Sequence, residues 1–207
     1  MSGASLATWW WRQMATCALL FRRDDAALGY WRRIQARRPD DPRVLASVAH
    51  LAAQRGATGE AIDLLDQAVS RDPSNAASWF NLGFLRQKNG DHDAALAAFA
   101  RAVSLDPKLD RAWYGQGISL MQTGRLEEAV EPLTRNTKLQ PMSPFGWYQL
   151  GHVHARLGQR ADAEKMVRRL AQFEPQVATQ LAREIGMPAD STDAADPAAG
   201  PPKIQEP

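Results

Sequence analysis

Histidines 50, 92, 152 and 154 are the side chains best suited to hold a metal or move a proton near neutral pH. His152 and His154 stand two apart, and on a helix that spacing turns them to different sides, so they do not form a metal pair. The paired acids Asp40-Asp41 and Glu127-Glu128 fall at expected helix starts, where carboxylates favour the positive end of the helix dipole. Gly115-Gln-Gly117 lies inside a helical pattern, as packing residues rather than a phosphate loop. Patterns of the H-E-x-x-H, G-x-x-x-x-G-K-[ST] and G-x-S-x-G kinds do not occur. Neither catalysis, a cofactor nor a metal is expected.

Charge narrows the remaining classes. The 207 residues carry 25 Lys and Arg against 23 Asp and Glu, so no global field draws the chain to nucleic acid or an anionic membrane. One local asymmetry stands out: residues 1–43 hold eight Arg and four Asp, a net of +4. The interleaved Asp24, Asp25, Asp40 and Asp41 make this a solvated helical face rather than a phosphate track. Cys17 is the single cysteine, which leaves neither a disulfide framework nor a thiolate cluster. The stretch Met14-Ala-Thr-Cys17 resembles a lipoprotein cleavage site, but Arg12 interrupts what precedes it, and a signal peptide is not expected. The uncharged run Gln13–Phe21 is far too short for a membrane span. The chain reads as cytoplasmic, with Cys17 a lone buried thiol. Its Ala- and Arg-rich composition is bacterial in character.

These side chains must be positioned by elements, and the elements repeat. Pro39, Pro73, Pro107, Pro141 and Pro175 step by 34 residues, as do Ala27, Ala61, Ala95, Ala129 and Ala163. Gly56, Gly90, Gly124 and Gly158 keep the same step. So do Trp79, Trp113 and Trp147, with Trp11 and Leu45 at the earlier equivalents, and Gly83, Gly117 and Gly151 continue Ala15 and Ala49. Bulky residues at positions 4, 7 and 11 of a unit, around a small one at 8, mark one face of a helix. Gly at 15 offers the left-handed stop. A second helix shows Ala95, Phe99 and Ala102 at i, i+4 and i+7, and Asp106-Pro107 ends it. Small residues at 8 and 20 let the two antiparallel helices approach closely.

The pattern W-x2-L-G-x2-Y, A-x3-F and P in Trp79–Pro107 resembles the tetratricopeptide repeat, and the resemblance covers residues 8–177, about four-fifths of the chain. It implies an all-α, right-handed solenoid of five helix-turn-helix units: 8–41, 42–75, 76–109, 110–143 and 144–177. A flank, 1–7, precedes them. A capping helix, 178–186, follows, with Val177, Leu181 and Ile185 at i, i+4 and i+8, and then a Pro-, Ala- and Asp-rich tail, 187–207, expected to be disordered. Departures fall in two units. The first has Arg22 at the turn Gly and Trp31 where others have Leu, Phe or Val, as a divergent cap would. The fourth has Gln116, Asn136 and a mid-helix Pro132, read as a tolerated surface kink that leaves the Glu128 carbonyl without its donor.

In that family, positions 2, 5, 9, 12 and 13 of each first helix tend to face a concave groove. Here those positions include His50 and Gln54, then Phe80, Phe84 and Lys88. They continue with Arg111, Tyr114, Ile118 and Met121, then Phe145, Tyr148 and His152. Family members that hold acidic chaperone tails use a five-residue clamp of Lys, Asn and Arg. Units two to four offer Ala46, His50, Asn81, Arg111 and Gly115 at its places, two matches of five. The resemblance therefore implies a protein-binding groove for an apolar or aromatic segment, with Asn81 and Arg111 beside it. The partner is expected to be another protein, a client or complex subunit, served by an adaptor or chaperone-like escort. Nucleic acid is not expected, because Arg43, Lys88, Arg111 and Arg156 are too sparse. The alternative is a self-assembling homo-oligomer whose groove is filled by a terminus of another copy, either Trp9 and Trp10 or the closing Pro-Pro-Lys-Ile-Gln-Glu-Pro. Trp9 and Trp10 otherwise cover the first repeat's open edge.

Overall fold

Asp-Pro steps and Trp residues build the junctions between helix pairs. Asp72 and Asp106 each accept a backbone N–H two residues on, from Ser74 at 3.1 Å and Lys108 at 3.0 Å. The Pro between them cannot supply the donor that a continuing helix needs. Six residues after each Pro an indole N–H returns to its carbonyl: Trp79 to Pro73 at 3.0 Å, Trp113 to Pro107 at 2.9 Å and Trp147 to Pro141 at 3.1 Å. The constant Pro-to-Trp interval is thus a hydrogen bond. Asp41 and Asn75 cap the following helices through the N–H groups of Arg43 and Ser78, both at 3.0 Å. Between the helices of a pair, Gly90 takes φ +86° and Gly124 φ +76°. Arg22 adopts φ +54° at the same place, a conformation that costs a non-glycine residue about 1–2 kcal/mol.

The computed structural model describes residues 3–187, with side chains from Leu6 onward. Among these residues there are eleven helices and no strand. The chain divides into two compact units, one ending at Gly115 and the other starting at Gln116. The first holds α1 (Gly3–Leu20), α2 (Asp24–Arg37), α3 (Pro42–Gln54), α4 (Thr58–Arg71), α5 (Ala76–Lys88), α6 (His92–Leu105) and the start of α7 (Asp110–Gln122). Helices pair as α1–α2, α3–α4 and α5–α6, and α2 packs on α3 as α4 packs on α5. Ile34, Leu45, Leu51, Leu65 and Leu82 lie in its core at no more than 2 % exposure. Phe99 is fully buried in a slot with glycine on two sides. A Cβ on Gly83 would stand 2.8 Å from its ring, and one on Gly115 2.5 Å, closer than carbon atoms pack.

The second unit contains the rest of α7, α8 (Leu126–Leu139), α9 (Pro144–Arg156), α10 (Arg160–Ala171) and α11 (Pro175–Glu184). Its apolar core is Val167, Leu170 and Leu181 with Ala163 and Ala178. Leu181 of the terminal helix α11 seats against Gly151, where a Cβ would lie 2.6 Å away. Around α8 the interior is polar: Ser119, Asn136 and Thr137 are all buried. The Asn136 side-chain oxygen fills the space where Gly146 lacks a Cβ.

Three expectations are corrected. Pro132 is not at the surface. It is buried, and α8 runs through it from Leu126 to Leu139, because its repeat equivalents Leu64 and Ala98 are also interior positions. Cys17 is exposed rather than buried. Its equivalents Leu51 and Leu85 are covered by α2 and α4, and no described helix covers α1 in that way. Trp9 and Trp10 are likewise 55 % and 57 % exposed. Met187, read as the first tail residue, is buried, its N–H donating to the Ala182 carbonyl at 2.8 Å. The rest of the tail lies outside the described residues. No helix among the described residues is long and apolar enough to cross a membrane.

Candidate functional site

Phe80 and Phe84 are one turn apart on α5 and therefore share a face. Their rings stack with centroids 6.3 Å apart and planes 27° from parallel. Phe80 rests on buried Phe99, 6.0 Å away, and the Arg111 guanidinium lies 5.0 Å above the Phe80 centroid. Two polar ties hold this platform. Arg86 donates to both carboxylate oxygens of Asp66 on α4, at 2.7 and 2.9 Å. The Gln87 amide donates to the Gly115 carbonyl at 2.9 Å. Opposite the phenyl rings, α3 presents Ala46, Ala49 and Ala53, too small to fill the space. A cavity of about 430 Å³ results. Leu65 and Leu85 also line it. Its polar lining is His50, Gln54, Asn81, Lys88 and Arg111, with the His50 Nε2 and Gln54 Nε2 atoms 3.2 Å apart.

The lining is more apolar than polar, with two cations and no carboxylate. Such a site suits an aliphatic or aromatic side chain, with backbone carbonyls or a carboxylate taken by Lys88 and Arg111. Among the described residues, no group of three His, Cys, Asp or Glu is placed to hold a metal.

The second unit has its own aromatic pair at matching repeat positions. Tyr148 and His152 meet edge to face, centroids 4.7 Å apart. The Tyr148 hydroxyl donates to the Glu184 carboxylate of α11, and His152 Nε2 lies 2.9 Å from the same oxygen. The Gln180 amide donates to the Tyr148 hydroxyl at 3.3 Å and to the other Glu184 oxygen at 2.9 Å. Burial, followed by the Glu184 hydrogen bond and charge, pushes the Tyr148 phenol up to about 12. The Tyr148 and Gln180 hydrogen bonds hold Glu184 below the usual carboxylate range.

Of the ten residues expected in a groove, Phe80, Asn81, Phe84 and Arg111 line the cavity. Tyr148 and His152 are bonded to the terminal helix. Tyr114, Ile118 and Met121 are partly buried, and Phe145 is 67 % exposed; none of these four lines the cavity. Sequence reasoning missed Leu65 and Leu85, and read Ala49 only as the small residue of its repeat register. The signal for them was the i, i+3, i+7 run of alanines on α3 facing two phenylalanines. It also missed Gln180 and Glu184, whose i, i+4 spacing put both on one side of α11.

Residues 13–186 match the family described as the Cilia and flagella-associated protein 70 C-terminal domain. Among solved structures, a MamA protein superposes with a TM-score of 0.77 at 20 % identity, over 83 % of this chain and 94 % of that one. MamA 41-end from Desulfovibrio magneticus RS-1 gives 0.76 at 19 %, over 82 % and 96 %. YrrB, a TPR protein with an unusual peptide-binding site, gives 0.73 at 20 %, over 82 % and 88 %. At that identity the likeness is one of fold, an all-α solenoid. No curated protein matches the chain.

Proposed function

The chain belongs to the tetratricopeptide-repeat family described as the Cilia and flagella-associated protein 70 C-terminal domain, and we propose that it is a protein-interaction module that seats an apolar or aromatic segment of a partner protein between α3 and α5. The observation that carries this reading is the Phe80–Phe84 platform facing three alanines across an unfilled space of about 430 Å³. Phe84 is half exposed. A partner's Leu or Phe entering there would shield that ring and Phe80 together, the arrangement of a binding hot spot. Lys88 and Arg111 set the register of the segment by its carbonyls or acidic groups. The module acts as an adaptor or as a chaperone-like escort for a client's exposed segment. Its likeness in fold to YrrB, a TPR protein with an unusual peptide-binding site, agrees with that reading.

The test is capture of partners from the native lysate with the wild type and with Phe84→Glu, identified by mass spectrometry. A partner retained by the wild type and lost from the variant, with unchanged circular dichroism, supports the cavity as the site. Identical partners on both proteins refute it. Sedimentation of the full chain against forms lacking residues 1–10 or 187–207 addresses self-filling: a dimer that becomes a monomer on truncation would assign the cavity to a second copy.

A further inference from the structure

The outward side of α1 differs from the equivalent sides of α3 and α5. Leu6, Trp10, Gln13, Cys17 and Leu20 recur at i, i+4, i+7, i+11 and i+14, so they form one stripe along the helix. Leu6 is 53 % exposed, Trp10 57 % and Leu20 76 %, and Cys17 is exposed with them. Ala15 and Ala18 face the opposite way and are buried. The helix is thus apolar on its inner and outer sides alike.

The repeat register explains what this stripe is built to meet. Trp10 and Cys17 stand at the positions held by Val44 and Leu51 in α3 and by Ser78 and Leu85 in α5. Those four are no more than 6 % exposed, because the second helix of the preceding pair, α2 or α4, lies on them. In α1 no described helix packs on the same face.

Charge on the α1–α2 pair selects the occupant: residues 3–37 hold six Arg against two Asp. Arg12, Arg22, Arg23, Arg33 and Arg37 form no ion pair with a described residue, whereas Arg32, Arg38 and Arg55 pair with Glu60, Asp41 and Asp25. At Trp9, the neighbour of Trp10 in sequence, Arg12 and Arg38 flank a pocket of about 140 Å³ that Thr8 and Ile34 also line. A second copy presenting the same surface would bring these guanidiniums against each other. We propose that the outer face of α1 is a second docking surface, which accepts an acidic amphipathic helix of a partner protein as one more stacked helix.

Cys17 lies within the stripe and is the only cysteine in the sequence, so its alkylation rate reports cover directly. The probe is a lactam-stapled peptide of residues 58–71, the α4 helix that this chain itself stacks on α5, bearing Glu60, Asp63 and Asp66. The staple is needed because so short a helix is marginal alone. With the peptide at about ten times its dissociation constant, alkylation of Cys17 in the full chain is expected to slow about ten-fold. Trp10→Glu, at an exposed position, should abolish protection with an unchanged circular dichroism spectrum. The E60K/D63K/D66K peptide should protect poorly. Equal protection by the lysine peptide, or none by the acidic one, overturns the proposal. Protection by phosphatidylserine vesicles but not by the peptide would make the occupant a lipid surface. Protection that rises with protein concentration alone would make it a second copy.

Discussion

Phe80 and Phe84 in the first unit occupy the same repeat positions as Tyr148 and His152 in the second. Both pairs place two rings one turn apart on the first helix of a pair, yet one pair borders an open cavity and the other is taken up by Glu184 and Gln180. Register thus decides which side of a helix a residue occupies. What else reaches that side decides whether it is vacant. Facing Phe80 and Phe84 are the small residues of α3, which leave room. Over Tyr148 and His152 comes α11, anchored by Leu181 against Gly151, and its polar edge satisfies their hydroxyl and imidazole. An open apolar platform gains from a partner; a bonded polar pair must first give up hydrogen bonds.

The largest change is expected from removing the platform's support. Phe99→Ala deletes a fully buried ring beneath Phe80 and should cost about 3–5 kcal/mol, read as a lower urea midpoint with faster hydrogen exchange in α5 and α6. Gly115→Ala drives a methyl group to 2.5 Å from the Phe99 ring. Overpacking of about 1–3 kcal/mol should exceed the helix-propensity gain of about 1 kcal/mol, and the same denaturation measures it. In the second unit, Gly146→Ala should destabilise through the Asn136 oxygen, and Asn136→Ala should relieve that clash. The double-mutant cycle is expected to show coupling on the order of 1 kcal/mol; additivity would remove Asn136 as the reason for Gly146.

Smallest is the pH response of the terminal clamp. Glu184 has its pKa lowered from 4.5, so its contribution is complete above 4.5 and is lost as pH falls through the depressed value. Tyr148 has its pKa raised from 10.0 to about 12, so its contribution is complete below 10.0 and is lost as pH rises towards 12. Glu184→Gln should bring the Tyr148 transition down in a tyrosinate absorbance titration and weaken hydrogen-exchange protection of α11 at neutral pH. An unmoved transition would exclude Glu184 as a cause of the shift.

The 34-residue registers were legible because each answers a local demand. Pro107 is bonded by Trp113, Gly90 needs a left-handed φ, and Gly83 needs to touch Phe99. The shared face of Phe80 and Phe84 followed from helical spacing alone. Contacts set by a neighbour without a place in the repeat were not legible. Glu184 reaches Tyr148 from α11, at a position past the last repeat unit. Cys17 was read as a buried thiol, yet its equivalents Leu51 and Leu85 are buried and it is exposed, so the covering helix, not the residue, makes the difference. Pro132 looked like a surface residue from its chemistry, while its register already put it inside.

Site-specific photo-crosslinking tests the difference between the two aromatic faces most directly. A benzoylphenylalanine replaces either Phe84, at the open cavity, or the exposed Phe145 on α9, and the full chain is irradiated in native lysate. Efficient crosslinking of one partner through its apolar segment from position 84, with little from 145, is the result expected. Equal crosslinking from both positions, or crosslinking from 145 alone, would contradict the assignment of partner binding to the α3–α5 cavity.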